Sequence, residues 1–241
     1  MTQIKLDILA MASHPDDAEL ACAGTLLKAK KVGKKTGILD LTRGELGTRG
    51  SAEIRDKEAA ESTKILGLDV RENLQMEDGF FRNTKENLMR VIVELRKYRP
   101  EVVLINAISD RHPDHGRGAE LEKEACFLSG LPKIQTIYEG EQQEAWRPKA
   151  VYHYIQDYDM RPDIVIDITE EVDQKIESIR AFKTQFYNPE HDGPETPISG
   201  KEFFEVLKGR WANYGRYIGV HYGEGYISTR PVGTHQITDL I

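Results

Sequence analysis

A chain of 241 residues, 39% hydrophobic and 30% charged, has the make-up of a soluble globule long enough to bury a substantial core. Its net charge of −7, with no long basic run, argues against nucleic acid as a partner, because phosphate neutralisation dominates that binding. No apolar stretch nears the roughly 18 residues of a membrane span, and the amino terminus carries no secretory pattern. Cytoplasm is therefore the expected compartment, with no membrane partner.

Residues 4–12 read as a strand. Ala18, Ala21, Cys22, Thr25, Leu26 and Ala29 then recur at helical spacing, and Gly33 ends the helix. Lys28, Lys30, Lys31, Lys34 and Lys35 cluster at that end, where cations complement the helix dipole. A strand over 36–42 leads into a loop over 43–50 that holds three glycines. A helix over 52–66, a short strand over 70–74, a helix through Leu88, Val91, Ile92 and Leu95, a strand over 102–107 and a helix over 115–128 follow. This alternation predicts a mostly parallel α/β sheet with helices on both faces, in a single domain spanning 1–241. The second half is less regular. Strands are expected over 151–156 and 164–168, and helices over 172–182 and through Phe203, Phe204, Leu207, Trp211, Tyr214 and Ile218. Between the helices lies a Pro/Gly-rich loop over 188–200, long enough to suggest a function, with Tyr187 and His191 at its border. Cys22 and Cys126 read as small core residues in a reducing compartment. His153, His221 and His235 have no partner pattern and read as structural or exposed.

The chemistry sits in two strings. His14-Pro-Asp-Asp17 follows the first strand and His112-Pro-Asp-His115 follows the strand over 102–107. Either string alone is ordinarily a turn or a helix cap, and Asp16 would cap the first helix well. Two of them at the carboxyl ends of strands in one parallel sheet point to a shared site, since ligands bind at that edge. A catalytic zinc needs three protein ligands and an open position, which His14, Asp17 and His115 would supply. Asp16 would lie beside the metal as general base. His112, read as a protonated imidazole, would stabilise an oxyanion or protonate a leaving amine, and Asp114 would orient the ligands. Arg43, Arg49, Arg55, Arg111 and Arg117 concentrate near these strings. They either offset Asp16, Asp17, Asp114 and Glu45 or grip an anionic substrate, the second reading being strongest for Arg55. Arg43, Glu45, Arg49 and Tyr187 are the other candidate substrate contacts. The glycines of the 43–50 loop would let backbone approach a ligand closely. No G-x-G-x-x-G follows the first strand, so the dinucleotide fingerprint is absent.

Taken together, His14-Pro-Asp-Asp17, Thr42-Arg-Gly-Glu-Leu-Gly-Thr-Arg-Gly50 with Arg55, and His112-Pro-Asp-His115 resemble the LmbE-like, or PIG-L, family of zinc-dependent N-acetylglucosamine deacetylases. Gln185-Phe-Tyr-Asn-Pro189, Thr196-Pro-Ile-Ser199 and Gly219-Val-His-Tyr-Gly-Glu-Gly225 extend the resemblance to the bacillithiol-producing branch, which removes acetate from N-acetylglucosaminyl-malate. The resemblance implies a Rossmann-like fold, zinc on His14, Asp17 and His115, Asp16 as base, help from His112 and Asp114, and Arg55 on substrate. It also implies an anionic amino-sugar substrate and a homo-oligomer, hexameric in some members. The alternatives are deacetylation of another N-acetylglucosamine conjugate, and a nucleotide-binding α/β module whose His/Asp turns are caps.

Overall fold

Strand β1 (Ile8–Ala12) alternates large and small side chains, and that alternation sets the layering. Leu9 and Met11 face one core, where α3 (Lys85–Tyr98) supplies Val91, Ile92 and Leu95 and α4 (Pro113–Leu128) supplies Leu121 and Ala125. Ala10 and Ala12 face the opposite core, against Ala18, Cys22 and Leu26 of α1 (Asp17–Lys31). The computed structural model describes residues 4–190 and 193–239, and among them these two cores sandwich a seven-stranded sheet.

The sheet runs in the order β3 (Val70–Met76), β2 (Thr36–Thr42), β1, β4 (Val102–Ile105), β7 (Ala150–Tyr154), β9 (Gly223–Ser228), β8 (Ile164–Asp167). Strands β3, β2, β1, β4 and β7 are mutually parallel. Strand β9 runs antiparallel to both β7 and β8. The expected α/β sheet with helices on both faces is therefore present. Strand β9 and the two-residue pair β5 (Ile137–Tyr138) and β6 (Glu141–Gln142) are additions that the residue pattern did not reveal. Helix α2 (Ala52–Leu66) is capped by Ser51, whose hydroxyl accepts from Ile54 N at 3.4 Å. A third core joins α5 (Val172–Arg180) and α6 (Phe203–Ile218) to α2 through Ile176, Ile179, Phe204, Leu207, Trp211 and Ala59.

Deep in the fold, Lys175 Nζ donates to Glu224 Oε1 at 2.5 Å, with both side chains fully buried. Glu224 also accepts from Gly24 N and Thr25 N, each at 2.8 Å, tying α1, α5 and β9 together. At the end of α1, Lys30 pairs with the partly exposed Asp69 at 2.8 Å and Lys31 with the buried Glu171 at 2.6 Å, so these lysines are held by acids of the fold itself. Cys22 and Cys126 are free and buried. Among the described residues no helix is long and apolar enough to cross a membrane.

Candidate metal centre

Both His/Asp strings leave the carboxyl ends of neighbouring strands, β1 and β4, and so reach the same edge of the sheet. The first does so through a strained turn: Asp16 has φ 120°, a conformation that a side chain with Cβ adopts only when its surroundings impose it. Asp16 occupies the N-cap position of α1 but makes no capping hydrogen bond. Capping therefore does not account for it. In the second string Pro113 opens α4, and His112 Nδ1 accepts from Asp114 N at 3.3 Å.

Close approach of α4 to the sheet brings the two turns together. A Cβ on Gly118 would lie 2.6 Å from Ser13 Oγ and 3.1 Å from Asn106 Nδ2, so only glycine fits there. Ser13 Oγ in turn donates to the Asp114 carbonyl at 2.9 Å. The imidazole centroids of His14 and His115 stand 5.7 Å apart, and that of His112 stands 4.6 Å from His14 and 5.2 Å from His115.

Asp17 bridges the two strings. Its Oδ2 lies 3.3 Å from His14 Nδ1, and its Oδ1 lies 3.2 Å from His115 Nε2. The carboxylate is itself fixed by His14 N at 2.8 Å and by Gln156 Nε2 at 2.6 Å. The outward-turned imidazole nitrogens also meet carboxylates. His14 Nε2 lies 3.0 Å from Asp78 and 3.3 Å from Asp114, and His115 Nδ1 lies 2.8 Å from Asp110. A carboxylate on the far nitrogen is the usual support of a metal-ligating histidine, because it fixes tautomer and ring orientation. The ligand atoms of His14, His112 and His115 lie within 4.8 Å of one another, as do those of His14, Asp78 and Asp114, whereas His14 and His115 of the expected set are joined through the two oxygens of Asp17.

Electrostatics favour a cation here. Burial alone would depress the His14 imidazolium, but Asp114, Asp17 and Asp78 outweigh it and hold its pKa well above the ordinary value. Burial likewise opposes charge on His115, and Asp17 and Asp110 overcome it, raising the pKa to about 9. Burial opposes the Asp17 carboxylate, yet the two imidazoles keep it ionised. A pocket that draws positive charge this strongly, with imidazole and carboxylate donors braced from behind, fits a divalent ion.

Around this centre lies a cavity of about 380 Å³. Asp16 lines it, buried beside Arg55, whose Nη1 donates to Pro15 O at 2.9 Å and to Asp16 Oδ2 at 3.2 Å. Burial raises the Asp16 pKa to about 7 even against the pull of Arg55. Burial and the neighbouring charges of His14 and His115 lower that of His112. His112 is thus a neutral imidazole rather than the protonated one expected, and with Nδ1 occupied as acceptor its N–H sits on Nε2.

The other sequence candidates divide. Arg55 and Arg111 line the cavity, and the loop glycines Gly44 and Gly47 do so while packing on the Arg55 guanidinium. Arg43 instead pairs outward with Asp56 at 2.5 Å, and Arg49 donates to the carbonyls of Gly193 and Pro194, pinning the long loop. Glu45 accepts from Asp78 N at 2.8 Å and so holds a ligand-supporting turn. Tyr187 is exposed and does not line the cavity, and His191 lies outside the described residues. Arg117 Nη2 pairs with Asp114 at 2.8 Å. His153 Nδ1 lies 2.7 Å from the Asn106 carbonyl, a core role. Sequence reasoning missed Asp78, Asp110, Gln156, Asp157 and Arg210. The first two support ligands, and Gln156, Asp157 and Arg210 line the cavity. Asp110, Gln156 and Asp157 stand just past strands β4 and β7, the rule that located the histidines.

Residues 9–126 match the family described as PIG-L: GlcNAc-PI de-N-acetylase. Over 227 residues the chain is 27% identical to the diacetylchitobiose deacetylase of Thermococcus kodakarensis, covering 90% of this chain and 78% of that protein. It is 27% identical over 198 residues to a probable N-acetyl-α-D-glucosaminyl L-malate deacetylase 2 of Bacillus anthracis, covering 74% of this chain and 81% of the relative. The crystal structure of the conserved protein TT1542 from Thermus thermophilus is similar with a TM-score of 0.84 and 38% identity, over 96% of this chain and 98% of that one.

Proposed function

This chain belongs to the PIG-L/LmbE-like family of deacetylases, and from that premise we propose that it removes acetate from N-acetylglucosaminyl-malate, with zinc as its resident metal. The coarser activity is hydrolysis of the amide in an N-acetylglucosamine-type substrate. The observation that carries the reading is Asp17 bridging His14 and His115, with Asp16 and His112 on the same cavity.

His14, Asp17 and His115 would hold the metal, which when bound would supply Lewis acidity, polarising the acetyl carbonyl and acidifying a water. Asp16, with a pKa near neutrality, takes the proton of the attacking water. Arg55 orients that carboxylate and keeps part of it ionised despite burial. As the water oxygen bonds to the acetyl carbon, the Nε2–H of His112 donates to the developing oxyanion. A neutral imidazole suits this role, since it donates without giving up its proton. Asp16 then returns its proton to the sugar nitrogen, the C–N bond breaks, and acetate and a free amine leave. Gln156, on the same cavity wall, donates through Nε2 to Asp17 Oδ1 at 2.6 Å and so holds that carboxylate in place.

The malate conjugate is supported by the Bacillus anthracis relative and by the guanidinium groups on the cavity wall. A neutral N-acetylglucosamine oligosaccharide is the second reading, favoured by the longer alignment with the diacetylchitobiose deacetylase. Measuring kcat/KM for both substrates decides between them. The proposal expects a preference of at least about tenfold for the malate conjugate, the size of one good charged contact. Equal values, or a preference for diacetylchitobiose, would overturn it.

A further inference from the structure

The wall of the cavity away from the histidines carries a second feature. Phe203, Leu207 and Arg210 recur at i, i+4 and i+7 on α6, and all three line the cavity. Arg210 Nη2 donates to the Asp157 carbonyl at 2.5 Å, with the Asp157 carboxylate 4.0 Å away. From the other side Arg111 Nε donates to the same carboxylate at 2.8 Å. Two guanidinium groups thus share one carboxylate, and one positive charge is left over. The remaining N–H groups of both forks have no hydrogen-bond partner among the described residues.

This pair is braced against the metal centre. Asp157 N donates to Asp110 Oδ2 at 3.2 Å, and the same carboxylate oxygen meets His115 Nδ1 at 2.8 Å. Asp110 therefore sets the separation between the arginine wall and His115. Arg55 is poorly placed for the same task, because its Nη1 is taken by Pro15 O and Asp16 and its guanidinium is packed against Gly44 and Gly47.

We propose that Arg210, anchored on Asp157 beside Arg111, is the specificity-determining residue that binds the carboxylate of the group attached to the sugar. The inference rests on the deacetylase reading above and moves the anion contact from Arg55 to the opposite wall. A fork with free N–H groups suits a planar carboxylate, and its fixed distance from His115 would hold the acetyl group at the hydrolytic centre.

The test compares a malate conjugate with neutral diacetylchitobiose on the metal-loaded enzyme. Arg210→Gln should raise KM for N-acetylglucosaminyl-malate about ten- to a hundredfold, the worth of one charge-assisted hydrogen bond, with kcat changed less than about threefold. Its kcat/KM on diacetylchitobiose should stay within about threefold of the wild type, which also shows that the variant folds. Arg210→Lys, which keeps the charge and loses the fork, should recover part of the affinity, and it gives the same comparison if Arg210→Gln does not fold. Equal losses on both substrates, or no loss on either, would overturn the proposal. If the wild type deacetylates neither compound, the activity reading fails, and calorimetry with free malate judges the subsite separately. Binding to the wild type and its loss in Arg210→Gln would support the subsite, and no difference would overturn it.

Discussion

Arg55 Nη1 and Asp16 Oδ2 sit 3.2 Å apart with both side chains more than nine-tenths buried. A buried carboxylate beside a guanidinium is a base whose proton affinity is set by opposing effects, and here burial wins, leaving a pKa of about 7. Asp16→Asn preserves size and the Arg55 contact but cannot take a proton. We expect kcat to fall by about 10²–10⁴-fold with metal stoichiometry unchanged. Near-wild-type turnover would remove Asp16 from the base role.

Asp110 holds the far nitrogen of His115. Asp110→Asn should weaken metal affinity by about 10–100-fold, measured by competition with a chelating indicator, while saturating metal restores much of the activity. Unchanged affinity would show that the contact does not orient the ligand.

Gly118 carries the close approach of α4 to the end of β1. Adding one methyl there forces Ser13 or the helix to move, so Gly118→Ala should lose about 1–3 kcal/mol of stability in urea unfolding, together with metal affinity. Removing the obstructing hydroxyl should rescue part of both, so a Gly118→Ala, Ser13→Ala double variant no better than the single one would contradict this packing account.

The Lys175–Glu224 pair lies outside the cavity lining and should affect stability without touching chemistry. Glu224→Leu strands a buried ammonium and should cost about 3–5 kcal/mol, whereas Lys175→Met with Glu224→Leu should recover part of the loss. A double variant as unstable as the single one would show that the stranded charge is not the cause.

Much of this centre is legible in the amino-acid order because its parts obey local rules. A parallel sheet places the ends of β1 and β4 side by side, so His14, Asp17, His112 and His115 can be placed at one sheet edge from strand positions alone. The supporting carboxylates are harder to see. Asp78, Asp110 and Asp157 are single acids in loops, with no periodicity, and their value comes from what they touch. Arg55 stands out from Arg43 and Arg49 in sequence only by its place at the start of a helix, and packing is what makes Arg43 an outward pair and Arg49 a loop anchor. Arg210 was hidden within a helical stripe whose apolar members read as core. Strand β9 was obscured because Gly223, Glu224 and Gly225 break the apolar alternation, and because its antiparallel insertion between β7 and β8 is decided by tertiary contacts.

The most direct test of the whole account is acetate release from N-acetylglucosaminyl-malate by the purified protein, before and after exhaustive chelation and after zinc is restored. The account predicts release that chelation abolishes and zinc recovers in wild type, with no recovery in His115→Ala. Release that survives complete removal of metal, or an unaltered rate in His115→Ala, would contradict it.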